Sequence, residues 1–249
     1  MISAQISHKG FAWAVLSTMM LVLPTSLSAQ DIAISLGDDG SLATRSIQLM
    51  ILITLLSLVP GLAIMVTCFP FIVTVLSILR QAIGLQQSPP NMLIISLALF
   101  LTYFVMEPVF NEAWRLGAEP YTTGEMALEP AFNAALEPFR GFMANRIDPD
   151  TFQHLASLRP DETGELAASS PLSILVPSFL LSEVERAFQI GFLVFLPFLI
   201  IDLVVAAILM SMGMMMVPPA IVSLPFKLAF FVVADGWTLI SGALVRSYF

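Results

Sequence analysis

The stretch Met210-Ser-Met-Gly-Met-Met-Met-Val-Pro-Pro219 puts five methionines, Met210, Met212, Met214, Met215 and Met216, into seven positions between two long apolar runs, residues 188–209 and 220–244. Each run is long enough to cross a bilayer, which takes roughly 20 helical residues at about 1.5 Å per residue. Pro219 disfavours helical geometry at Pro218, so a helix does not continue through the pair. The two runs therefore read as a helical hairpin, with Gly213, Pro218 and Pro219 in its turn and thioethers at its tip. Methionine is flexible and polarizable and repacks against changing partners. A deformable apolar plug at a hairpin tip suggests a gate. The competing reading, filler in an apolar helix, suits a lone methionine better than five in seven positions.

Composition places the hairpin in a membrane. The 249 residues are 57% hydrophobic and 11% charged, with mean hydropathy +0.90, whereas soluble domains are about 25% charged. A net charge of −8 and a pI near 4.6 exclude the basic face of a nucleic-acid binder. The single cysteine, Cys68, has no internal disulfide partner. The expected fold is an all-α integral membrane protein of kinked helical hairpins with a helical outer segment.

Five regions follow from the pattern. Residues 1–29 read as a cleavable signal peptide, with Lys9 before an apolar core at 11–23, then Pro24 and the small residues Ser26, Ser28 and Ala29. An uncleaved first span is the alternative, but the core is short for one. Residues 30–46 are polar. Residues 47–110 form a first hairpin, its first span interrupted by Pro60 and Gly61, and Arg80 lies in the loop between its spans. Residues 111–187 are acidic and partly helical: Ala127, Leu128, Phe132, Ala135, Leu136, Phe139 and Phe142 recur at helical spacing, and 172–188 reads helical with Glu183, Glu185 and Arg186 on a polar side. Residues 160–170 form a loop. Residues 188–249 are the methionine hairpin. Basic loops stay in the cytoplasm, so Arg80 and the methionine tip are expected inside, and 30–46 and 111–187 in the periplasm.

Asp202, Lys227 and Asp235 interrupt the last apolar runs. An ionisable group in a span costs at least about 2.5–3.5 kcal/mol on insertion scales, so such groups face protein or a water path. A hairpin folding near Met214 brings Asp202 and Lys227 to similar depth, and an ion pair between them, within or between subunits, is expected. Each instead satisfying backbone or snorkelling is the alternative. Asp235 alone is thin support for a proton relay. His8 and His154 stand apart from any nucleophile, and no metal-ligand spacing or phosphate loop is present. No catalysis, metal or cofactor is expected.

Several stretches together resemble a family. They are Ile78-Leu-Arg-Gln-Ala-Ile-Gly-Leu-Gln-Gln-Ser-Pro-Pro-Asn91, Leu97-Ala-Leu-Phe-Leu-Thr102, Phe188-Gln-Ile-Gly-Phe192, Leu196-Pro-Phe-Leu-Ile-Ile-Asp-Leu-Val-Val205, the methionine stretch, Leu224-Pro-Phe-Lys-Leu228 and Asp235-Gly-Trp237. In this order, from about residue 47 onward, they resemble the FliP family of flagellar biosynthetic proteins. The resemblance implies an export-gate subunit of the flagellar type III secretion apparatus, in the bacterial inner membrane within the flagellar basal body. It implies a homo-oligomer of several copies, joined by two smaller export-gate membrane proteins and flanked by larger export-apparatus membrane subunits. Together they form an oligomeric pore for unfolded flagellar axial proteins, with the methionine loop at the constriction. It further implies kinked helices in a tight stack, and Arg146 and Glu183 as subunit contacts joined by a salt bridge, with Asn145 competing for the arginine's position. A virulence injectisome gate is the nearest alternative, though it tends to lack the signal and the longer outer segment. A secondary transporter is the alternative from another class, but no internal repeat supports it.

Overall fold

The computed structural model describes residues 42–85, 89–159, 166–214 and 216–249. The expected signal peptide, most of the polar stretch after it, Gln86, Gln87 and Ser88 of the family-like loop, residues 160–165 and Met215 lie outside the described residues. Among the described residues every regular element is helical. The chain divides into two units after Thr54, and the division falls inside the first helix, α1 (Leu42–Met65). The apolar part of α1, Arg45–Met65, is exposed along its whole length, as a lipid-facing span is.

Pro60 and Gly61 do not interrupt α1; the break falls at Thr67 and Cys68 instead. A proline forfeits one backbone hydrogen bond, and an apolar surrounding gives the freed carbonyl no better partner, so the helix runs on. Thr67 supplies an alternative. Its hydroxyl donates to the Ile64 carbonyl at 2.8 Å and accepts from the Phe69 amide at 3.4 Å. Pro70 then sits in the first turn of α2 (Phe69–Ile83), where its missing N–H costs nothing.

The packing is built around α2. Phe71, Ile72, Val75, Leu76, Leu79 and Ala82 recur on one helical face and are fully buried. Each large apolar side chain so buried contributes roughly 1.5–3 kcal/mol. They pack against α3 (Asn91–Ala113) and the 40-residue α7 (Leu172–Ser211). Gly191 of α7 permits the close approach: a Cβ there would lie 2.4 Å from Ile78 Cδ1. Arg80 is in the last turn of α2, not in a loop, and donates to the Asn91 side chain at the start of α3. The loop expected around it is shortened because Gly84, at φ +90°, ends α2 only afterwards.

α3 continues through a π-helical turn, Trp114–Ala118, into the short α4 (Glu119–Thr122). The turn presents Gly117 to α5 (Leu128–Ala144). Asp148 caps α6 (Pro149–Ser157) through the Thr151 amide, and its own amide donates to Ser182 of α7 at 3.0 Å. Met143, Ile147, Phe152, Leu175 and Phe179 form a second small core beneath α6.

Two expected boundaries move. α7 runs unbroken from 172 to 211, so the border drawn between residues 187 and 188 falls inside a helix. Pro177 and Pro197 lie within it without ending it. The run 220–244 is instead two helices, α8 (Pro219–Val233) and α9 (Gly236–Arg246), bent by 62° at Ala234 and Asp235. Asp235 adopts the left-handed conformation at φ +48°, and a Cβ on Gly236 would meet the Phe231 ring at 2.2 Å. By length and composition α1, the helix over Asn91–Thr122 and α7 can each cross a membrane, as can the bent pair of α8 and α9 if it is one span.

Two glycine substitutions should separate tight from open packing. At Gly117 a new Cβ would lie 2.5 Å from the Ala131 carbonyl oxygen and 2.6 Å from Ala135 Cβ. Gly117→Ala should destabilise by about 1–3 kcal/mol. Gly61→Ala, with nothing within 4 Å, should be neutral or stabilising by up to about 1 kcal/mol. Thermal unfolding in detergent reads both; equal effects at the two sites would refute the close packing at Gly117.

Candidate functional site

The methionine tip is built by a helix-ending motif. Gly213, at φ +74°, donates its amide to the Met210 carbonyl at 3.1 Å, and the Met214 amide reaches the Leu209 carbonyl at 2.9 Å. This is the Schellman pair, in which a left-handed glycine satisfies the last carbonyls of a helix. Pro218 is extended, as a residue before proline should be, and Pro219 occupies the first turn of α8. Met210, Met212 and Met214 are exposed, and Met216 is 97% exposed. Exposed thioethers thus stand at the end of a hairpin closed by a regular helix stop and helix start.

Below the tip, the structure brings Asp202 of α7 and Lys227 of α8 together. Lys227 Nζ donates to Asp202 Oδ2 at 2.6 Å and to the Ala82 carbonyl, in the last turn of α2, at 3.1 Å. Ser223, one turn before Lys227, donates to Asp202 Oδ1 at 2.5 Å. Both carboxylate oxygens and the ammonium are therefore partnered, as a buried charge requires. A cation on a C-terminal carbonyl of α2 also opposes the negative end of that helix dipole. The burial is unequal: the Lys227 side chain is 7% exposed and that of Asp202 32%. Asp202 is half-buried rather than buried, because α7 shows its outer face here. Asp235 is exposed, where the chain bends between helices, and accepts from Thr238 Oγ1 at 3.3 Å. Within this chain it is not covered.

A second polar cluster lies at the other end of the hairpin. Arg146 Nε donates to Glu183 Oε1 at 3.0 Å, within one chain, and Asn145 takes no part in this pair. Glu183 is 0% exposed, so it does not lie on a polar side of α7. Its neighbours α5 and α6 cover that face, with Ser182 already tied to Asp148. Arg146 also donates to the Ser247 carbonyl at 2.8 Å, and its guanidinium lies 4.1 Å over the Tyr248 ring. The Tyr248 hydroxyl donates to Glu183 Oε2. Burial, and then the neighbouring Glu183 carboxylate, push the Tyr248 phenol well above its ordinary value. Burial likewise pushes the Cys68 thiol up to about 12. Cys68, buried and shifted in this direction, reads as a packing residue where it sits.

Ser223 and Tyr248 were not singled out from sequence. Ser223 had a readable signal, since it precedes Lys227 by four residues and shares its helical face. Tyr248 had none. Among the described residues no group of three His, Cys, Asp or Glu side chains is arranged to hold a metal ion.

The model of the FliP family matches residues 52–244. The flagellar biosynthetic protein FliP of Caulobacter vibrioides is 50% identical over 228 residues, covering 91% of this chain and 86% of its own. That of Agrobacterium fabrum is 45% identical, covering 92% of this chain and 96% of its own. That of Bacillus subtilis is 43% identical, covering 84% and 95%.

The unequal burial orders the effects of breaking the ion pair. Asp202→Ala strands the deeper charge and should destabilise by about 3 kcal/mol. Lys227→Ala should cost less, because Asp202 keeps Ser223 and some water. The double variant should fall short of the sum by about 1 kcal/mol or more. Melting in detergent measures all three; simple additivity would show that the two side chains do not depend on each other.

Proposed function

This chain belongs to the FliP family of flagellar biosynthetic proteins, and from that premise we propose that it is a subunit of the flagellar type III export gate. In this reading several copies assemble in the bacterial inner membrane, within the flagellar basal body. Two smaller membrane proteins complete the pore, and larger export-apparatus subunits flank it. Unfolded flagellar axial proteins are the cargo. The first 29 residues serve as a cleaved signal, and residues 111–187 lie in the periplasm.

The observation that carries the reading is a rigid stem with a soft tip. The hairpin of α7 and α8 is pinned by the Asp202 and Lys227 pair, while the four methionines of the described tip are exposed. Leu203 and Val204 of α7 and Phe226 of α8 are exposed as well. Ile200, Ile208 and Val222 border an apolar recess of about 400 Å³ between the two helices. Such surfaces suit an assembly in which neighbouring copies or lipid cover the stem and the tips converge. A hydrophobic constriction dewets and blocks ions, so converged thioethers would seal a resting pore, and their flexibility would let a passing chain deform the seal.

The sidedness has support from the second cluster. The contacts of Arg146 and Glu183 with Ser247 and Tyr248 put the end of α9 beside residues 111–187, as expected of a hairpin that returns to the side it left. The transporter alternative loses its motive, since both oxygens of Asp202 are engaged and Asp235 stands at a helix break.

Two measurements test the proposal. Native mass spectrometry of the chain co-expressed with the two small membrane proteins should give one hetero-oligomer with several copies; a lone monomer would reject the gate. Replacing Met214, Met215 and Met216 together with alanine should leave that assembly intact and raise ion conductance through the resting pore several-fold or more. Unchanged conductance would put the seal elsewhere.

A further inference from the structure

The buried Glu183 is closed from two sides by residues far apart in sequence. Arg146, after α5, takes one oxygen, and Tyr248, after α9, takes the other. Around this pair the contacts multiply. Tyr248 stacks on Phe142 at 6.0 Å between ring centroids and meets Phe71 edge-on at 5.5 Å. Arg146 holds the Ser247 carbonyl and covers the Tyr248 ring. Phe71 belongs to α2, Phe142 to α5 and Glu183 to α7. The next residue, Phe249, is 78% exposed, so seating stops at Tyr248. Cys68, fully buried one turn before Phe71, lies in the same core that Tyr248 packs against.

We propose that Ser247 and Tyr248 form a latch, which seats the end of α9 on the Arg146 and Glu183 pair and so locks the bent helices α8 and α9 against α2, α5 and α7, with Cys68 sealed beneath. Tyr248 is a positioning residue in this device. Without its hydroxyl, one oxygen of a fully buried carboxylate loses its donor, a deficit that favours opening of the site to water. Without its ring, Arg146 loses its stacking face and Phe71 and Phe142 lose a shared neighbour. The left-handed Asp235 and the close fit of Gly236 on Phe231 set the direction of α9 after the 62° bend, Ile240 and Leu244 seat one face of the helix in the core, and the latch fixes its end. The inference rests on contacts within one chain and stands apart from the export-gate reading.

The chain carries its own reporter, since Cys68 is its single cysteine. The full-length protein in mild detergent is treated with N-ethylmaleimide, and modification is followed by intact mass. Wild type should react far more slowly than the same chain unfolded in SDS. Tyr248→Phe keeps the ring and so should fold, yet should react about tenfold faster, the change that a hydrogen bond to a charged group controls. Phe249→Ala should react as wild type does. Because the hydroxyl acts only through Glu183, Glu183→Met combined with Tyr248→Phe should react no faster than Glu183→Met alone. The latch is overturned by a wild-type rate in Tyr248→Phe, by equal acceleration in Phe249→Ala, or by independent, multiplying effects of the Glu183 and Tyr248 substitutions.

Discussion

An ammonium group among apolar helices is tolerable only where its partners are already in place, and Lys227 is such a group. Its three helices meet at one point: α8 supplies the lysine, α7 the carboxylate and α2 the carbonyl of Ala82. Breaking a buried pair by removing one member costs more than the pair ever contributes, because the remaining charge has nowhere to go. The interaction therefore sets register more than it adds stability. It admits one depth of α8 along α7, and it ties that depth to the end of α2, beside the turn that Gly84 closes. Every feature of the methionine tip inherits its position from this point.

Between the tip and the far end, the stem relies on a different force. α2 contributes a fully buried apolar face, and Gly191 lets α7 come close enough to cover it. Such packing is strong but tolerant of sliding, since apolar contact is not directional. The two polar clusters remove that tolerance. One ties Asp202, Lys227 and Ala82; the other, some 19 residues earlier on α7 (about 28 Å at 1.5 Å per residue), ties Glu183 to Arg146 and Tyr248. A long helix held by directional contacts at two separated points is a stiff element. The proposed gate needs one, because a soft tip seals only if its base does not yield.

Much of this was legible in the chain itself. Gly213 and the two prolines announce a helix stop and a helix start, and the structure makes them a Schellman turn and a proline-initiated helix. The depth match of Asp202 and Lys227 followed from counting residues to the turn. Other positions misled for physical reasons. Pro60 and Gly61 look like a break, but a lipid-facing helix has no alternative partners for its backbone, so the break waits for the hydroxyl of Thr67. Asp235 looks like a costly buried charge, yet within this chain it stands exposed at a 62° bend. Glu183 looks like part of a polar face, and it is wholly covered, by helices within 111–187 that could be sensed but whose docking could not.

What is local or periodic can be read along the chain: the all-helical class, the apolar runs, the hairpin turn, and the pairing of two charges symmetric about it. These depend on residue spacing along a helix of known pitch, so arithmetic suffices. Which charges are deep, where helices bend, and that Tyr248 closes on Glu183 across 65 residues emerge once the helices pack. Burial and long-range hydrogen bonds depend on which surfaces meet, and in a chain so rich in apolar residues many pairings satisfy the same pattern. The choice among them is made by the few polar atoms that must find partners once water is gone.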